Sequence, residues 1–130
     1  MSIETDLRSF LAATVLQAVD GVFYGAVPQR QPITTGLIVF QRISTGPRYA
    51  LDGAAKITEV GFQVDCWGRT MDDVDALAQG VRDAVEAYTG MMGATYVHAV
   101  FVEGMRDIDE PELPDFERRV LDLAVWHQEA

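Results

Sequence analysis

The chain has 130 residues, with 20 acidic and 10 basic side chains and a formal charge of −10. Hydrophobic residues at 48% and charged residues at 23% exclude a disordered chain and predict one domain spanning residues 1–130. The single cysteine, Cys66, excludes an intrachain disulfide and a Cys-based zinc cluster. No apolar run approaches the ~18 residues of a membrane span. The acidic balance, with nine Arg, one Lys and no polybasic tract, argues against a DNA-gripping surface.

In chain order, Leu7, Phe10, Leu11, Thr14, Val15, Ala18 and Val19 fall on one helical face. Glu4 and Asp6 favour the helix start, and Asp20-Gly21 is the expected stop. The acidic start argues against a secretory leader and for a cytoplasmic product. Residues 22–36 hold two prolines and two glycines and predict a crossing segment with at most a short strand. Leu37 to Ile43 predicts a strand, and the turn formers of residues 44–55 predict a long exposed loop.

Ile57 to Trp67 carries the clearest strand pattern. Val60, Phe62, Val64 and Cys66 alternate with Glu59, Gly61, Gln63 and Asp65, giving an inner and a wetter face. Thr70 with Asp73 three residues on resembles a capping box. The helix after it aligns Val74, Leu77, Ala78, Val81, Val85 and Tyr88 and is expected to end at Gly90. A turn at Met91-Met92-Gly93 leads into a strand over Thr95 to Val102. Phe116 to His127 is the last expected strand, with Leu121, Leu123 and Val125 inward. The predicted fold is α+β: a four-stranded antiparallel sheet with two helices on one face and long exposed loops.

The catalytic inventory is thin. No glycine-rich phosphate loop and no nucleophile elbow occurs. His98 and His127 lack partners at metal spacing, and Cys66 reads as a small buried hydrophobe. Residues 103–117 hold seven acids and one base. Counted from Asp107 as a calcium loop, Glu112 stands where glycine belongs and Arg118 where the bidentate Glu belongs, so that reading fails. An exposed acidic segment remains. Trp67, Trp126 and Tyr49 stand where aromatics cap a core or anchor a partner. No catalytic residue, metal ligand or cofactor is expected. A ligand-binding dimer, or a ferredoxin-like enzyme using His98 or Asp65 as base, stays open as the alternative.

VPQRQP before GLIVFQRIS, then QVDCWGRTMDDVDALAQGVRDAV, then RDIDEPELPDFERRVLDLAVWH, in this order and spacing, resemble the tail completion family of tailed bacteriophages and prophages, also called tail terminators or head-to-tail joining proteins. The resemblance covers Ser2 to Glu129. It departs at Ile33-Thr34-Thr35-Gly36, where a more compact entry into the strand is familiar. It implies a non-enzymatic virion protein: a ring, of six subunits, that ends the tail tube and meets the head connector. The implied partners are copies of itself, the tube protein and the connector, with DNA passing through without specific binding and no membrane. Arg48, Tyr49 and Leu51 are inferred subunit or tube contacts. Asp107, Asp109, Glu110 and Glu112 are inferred to face the lumen or the connector.

Overall fold

The structure, a computed structural model, describes residues 3–25, 33–49, 56–86, 88–108 and 116–128. Its elements are α1 (Ile3–Thr14), β1 (Val22–Tyr24), β2 (Leu37–Tyr49), β3 (Lys56–Gly68), α2 (Met71–Val85), β4 (Gly90–Met92), β5 (Thr95–Ile108) and β6 (Glu117–Gln128). The strands form one sheet in the order β1-β2-β3-β6-β5-β4. All pairs are antiparallel except β1 with β2, which is parallel.

This corrects the four-stranded antiparallel expectation to a six-stranded mixed sheet curled into a half-barrel; the class remains α+β. The two added strands have three residues each, too short for alternation to register in sequence. The expected turn at Met91 and Met92 is itself strand β4, set off by Gly90 and Gly93, whose φ of +129° and +60° suit glycine. The expected loop over 44–55 is also corrected in residues 44–49; residues 50–55 lie outside the described residues. Ser44 to Tyr49 continues β2, past a bulge between Arg42 and Ser44, and Lys56 already belongs to β3. Likewise Glu103 to Ile108 continues β5 rather than opening an acidic loop.

α2 lies over β3, β6 and β5, while α1 touches both β1 and β4, the two outermost strands. One helix reaches both edges only because the sheet curls toward it. The concave side holds the core: Ile3, Leu7, Leu11 and Val15 from the first helical stretch, and Leu77, Ala78, Val81 and Val85 from α2. They meet Phe40, Val60, Phe62, Val64, Cys66, Leu121, Leu123 and Val125, all essentially inaccessible. The Phe40 and Phe62 rings meet edge-on at 5.7 Å. Thr70 caps α2 by accepting from Asp73 N at 3.1 Å.

α1 stops at Thr14, earlier than its apolar spacing implies, and leaves Leu16 and Val19 exposed. The chain there turns onto two glycines. A Cβ at Gly36 would stand 2.5 Å from the Gln17 carbonyl oxygen, and one at Gly80 2.5 Å from Gln17 Oε1. The approach of Gly36 to the Gln17 carbonyl is backbone to backbone and open only to glycine, while the Gln17 side chain could swing away from Gly80. Asp20 then fixes the entry to β2. Its carboxylate accepts from Thr34 N (2.8 Å), Thr34 Oγ1 (2.7 Å), Thr35 N (2.9 Å) and Gly36 N (3.0 Å). The departure at Ile33-Thr34-Thr35-Gly36 thus supplies a clamp on the carboxylate.

Candidate assembly interface

β3 and β6 pair without interruption from Ile57↔Gln128 to Gly68↔Glu117, a spine about 36 Å long at ~3.3 Å per residue. β2 runs beside β3 so that its last pair, Tyr49↔Lys56, lies at the Gln128 end. β5 runs beside β6 so that Ile108↔Arg118 lies at the Gly68 end. The two long hairpins therefore point opposite ways. Arg48 and Tyr49 stand at one end of the sheet and Asp107 at the other. Leu51, Asp109, Glu110 and Glu112 lie outside the described residues.

Asp107 is exposed but engaged: Arg119 Nε donates to its Oδ1 at 2.6 Å. Arg119 also pairs with Asp75, which ties both strands to α2. The hydrogen bond to Asp107 is the main reason the guanidinium is held above its usual range; Asp75 adds to it and burial opposes it. The sequence placed Asp107 in a loop and gave no sign of Arg119.

The sheet face turned from the helices is wet in part only. Asp65, expected on a solvent side, is buried and receives Arg118 Nη2 at 2.8 Å and Gln63 Nε2 at 3.1 Å. Arg118 also lies 5.3 Å over the Trp67 ring. Arg106 pairs with Asp122 on the same face, and Phe101 meets Trp126 edge-on at 6.3 Å. His98 sits on β5 with Nε2 at 3.3 Å from Gln128 Oε1 and its ring against Tyr96. Cys66 is fully buried, and that burial pushes its thiol well above the usual range, so it holds the proton. Among the described residues no group of three His, Cys, Asp or Glu is placed to hold a metal. No helix there is long and apolar enough to cross a membrane.

Both outer strands are short, and each leaves a long strand half covered. β1 pairs with Ile38 to Phe40 only, and β4 with Thr95 to Val97 only. Among the described residues, β2 beyond Phe40 and β5 beyond Val97 have no outer neighbour. The ladder fixes which backbone groups face outward. Ile38 N donates to Gly21 O and Phe40 O accepts from Gly25 N, so the even positions of β2 face β1 before the bulge. Carried through the register, Arg42, Thr45, Pro47 and Tyr49 face the open side of β2. By the same alternation Val100, Val102, Met105 and Asp107 face that of β5.

The described residues form a curled α+β sheet with two long strands left open on their outer sides. The chain matches the family model described as tail completion protein gp17 over residues 5–128, and it belongs to that family. It is a phage tail completion protein, a structural component of the virion tail. Among solved structures it is similar to a chain in the virion of a native gene transfer agent particle. The TM-score is 0.72 at 14% identity, covering 98% of this chain and 96% of that one, a likeness of fold. No curated protein matches.

Proposed function

We propose that the chain, as one domain, caps the head-proximal end of a tail tube as a ring of six copies. It stops tube polymerisation and offers the surface that the head connector meets. The observation that carries this reading is the opposed pair of hairpins. One subunit has Arg48 and Tyr49 at one end of the long β3–β6 spine and Asp107 at the other. A cap between tube and connector needs two such ends. The first set then meets the tube or a neighbouring subunit. Asp107, Asp109, Glu110 and Glu112 face the connector or the lumen, where carboxylates leave passing DNA without the cationic partners that drive phosphate binding. Family membership supports a structural rather than an enzymatic role; in this reading the chain is made in the host cytoplasm and then assembles.

The test is tube growth. Tube protein polymerising in the presence of the chain should give short tubes bearing a ring at one end in negative-stain images. Tubes of unchanged length with bare ends would refute capping.

A further inference from the structure

We infer that neighbouring copies join by strand addition, the open edge of β2 in one copy pairing antiparallel with the open edge of β5 in the next. This rests on the ring reading above and specifies its contact. The two edges lie on opposite sides of one sheet, and β2 and β5 run in opposite directions across it. Placing copies side by side therefore sets β5 against β2 antiparallel, the arrangement that needs no inversion of the subunit.

The obstacles fix the register. Side by side at equal height, β1 of one copy collides with the Met105 to Asp107 stretch of the other, because Val22 to Tyr24 occupy the level of Cys66 to Val64. β4 blocks the opposite end, at the level of Thr58. Sliding one copy by about four residues, ~13 Å at ~3.3 Å per residue, clears both. That slide is an even number, so outward-facing positions stay opposite outward-facing positions. Arg42 then meets Asp107, Thr45 meets Met105, Pro47 meets Val102 and Tyr49 meets Val100. Every exchanged backbone bond can form except the one that Pro47 has no N–H to give. A slide of ~13 Å across four strands, about 19 Å at ~4.8 Å each, inclines the strands by about 35°. Closed sheets commonly tilt their strands by ~35–45°.

Side-chain character agrees with burial there. Phe101 and Met105 on β5 and Ile43 at the β2 bulge are among the exposed large hydrophobics. Within the chain Arg42 is paired with Glu4, Asp107 with Arg119 and Arg106 with Asp122, so the choice of pairing is made by geometry rather than by free charge. A β2–β2 or β5–β5 contact is two-fold and closes on a pair of copies, whereas β2 with β5 repeats from copy to copy, as a ring requires.

The experiment uses the full chain with tube protein present. Thr45→Cys together with Met105→Cys should give a ladder of disulfide-linked oligomers on oxidation, since facing antiparallel residues lie ~5.5 Å apart at Cα. Each single variant should give none. Met105→Pro removes an outward N–H without touching the internal ladder and should abolish rings, while Met105→Ala should keep them. Linking through Thr45→Cys with Val102→Cys instead would overturn the register. Rings that cap tubes, yet neither cross-link nor respond to Met105→Pro, would overturn the pairing and leave the capping reading intact. A chain that stays monomeric beside uncapped tubes would overturn both.

Discussion

Asp20 and Thr34 meet twice: one carboxylate oxygen accepts from the Thr34 backbone N–H and the other from its hydroxyl. With Thr35 and Gly36 donating as well, the segment after the first helix is clamped to the start of β2. Desolvation is the largest single influence on this carboxyl and raises it. The donors from Thr35, Thr34 and Gly36 together outweigh that and hold it below its ordinary value of 3.8.

A depressed carboxyl stabilises the fold above its unfolded value and loses that contribution as pH falls through the folded one. Asp20→Asn should therefore cost on the order of 1 kcal/mol at pH 7, a figure reduced by solvent at so open a site. The difference between variant and wild type should shrink below about pH 4. Urea melts of both proteins at pH 7 and pH 3 measure it; an unchanging difference would contradict the clamp.

Leu123 faces the concave side at 1% exposure, opposite Phe62. Leu123→Ala should destabilise by about 2–5 kcal/mol. Phe101→Ala, at a half-exposed site, should cost the isolated chain about 1 kcal/mol or less. Calorimetry that ranked the two the other way would mean that the faces of β5 and β6 are exchanged.

The Cys66 thiol should ignore Ellman's reagent in the native protein at pH 8 and react fully in guanidinium, since burial both shields it and disfavours the thiolate. Rapid labelling without unfolding would place it at the surface.

Neutralising Asp107 with Asn leaves Arg119 its bond to Asp75, so the fold should lose no more than about 1 kcal/mol. The quadruple variant adding Asp109→Asn, Glu110→Gln and Glu112→Gln should still fold by circular dichroism. Its deficit should appear in particle yield or connector affinity. Wild-type yield would reduce the acids to solvation.

The inner pattern was plain in the sequence because it repeats. Val60, Phe62, Val64 and Cys66 alternate over enough residues to reveal one face, and Val74, Leu77, Ala78, Val81 and Val85 keep helical spacing long enough to reveal another. Where signals conflict, local chemistry misleads. Gly46 and Pro47 read as a turn, yet Pro47 is accommodated in β2 because its nitrogen faces the open side, where no internal bond is required. The acids after Val102 read as loop because the Arg119 that pairs with Asp107 stands on another strand. Asp65 and Arg118 are 53 positions apart, and no spacing rule links them. The opposed hairpins are likewise a property of pairing order, which composition does not carry.

That opposition has a mechanical meaning. Tension applied between the two hairpin tips would not peel the sheet from one end. It would load the β3–β6 junction along its length, so that all the bonds between Ile57 and Gly68 resist together rather than in succession. A subunit held at its two ends by different neighbours is thus strongest along the line that joins them. Strain arriving at one end reaches the other through continuous backbone, without needing a helix or a hinge to relay it.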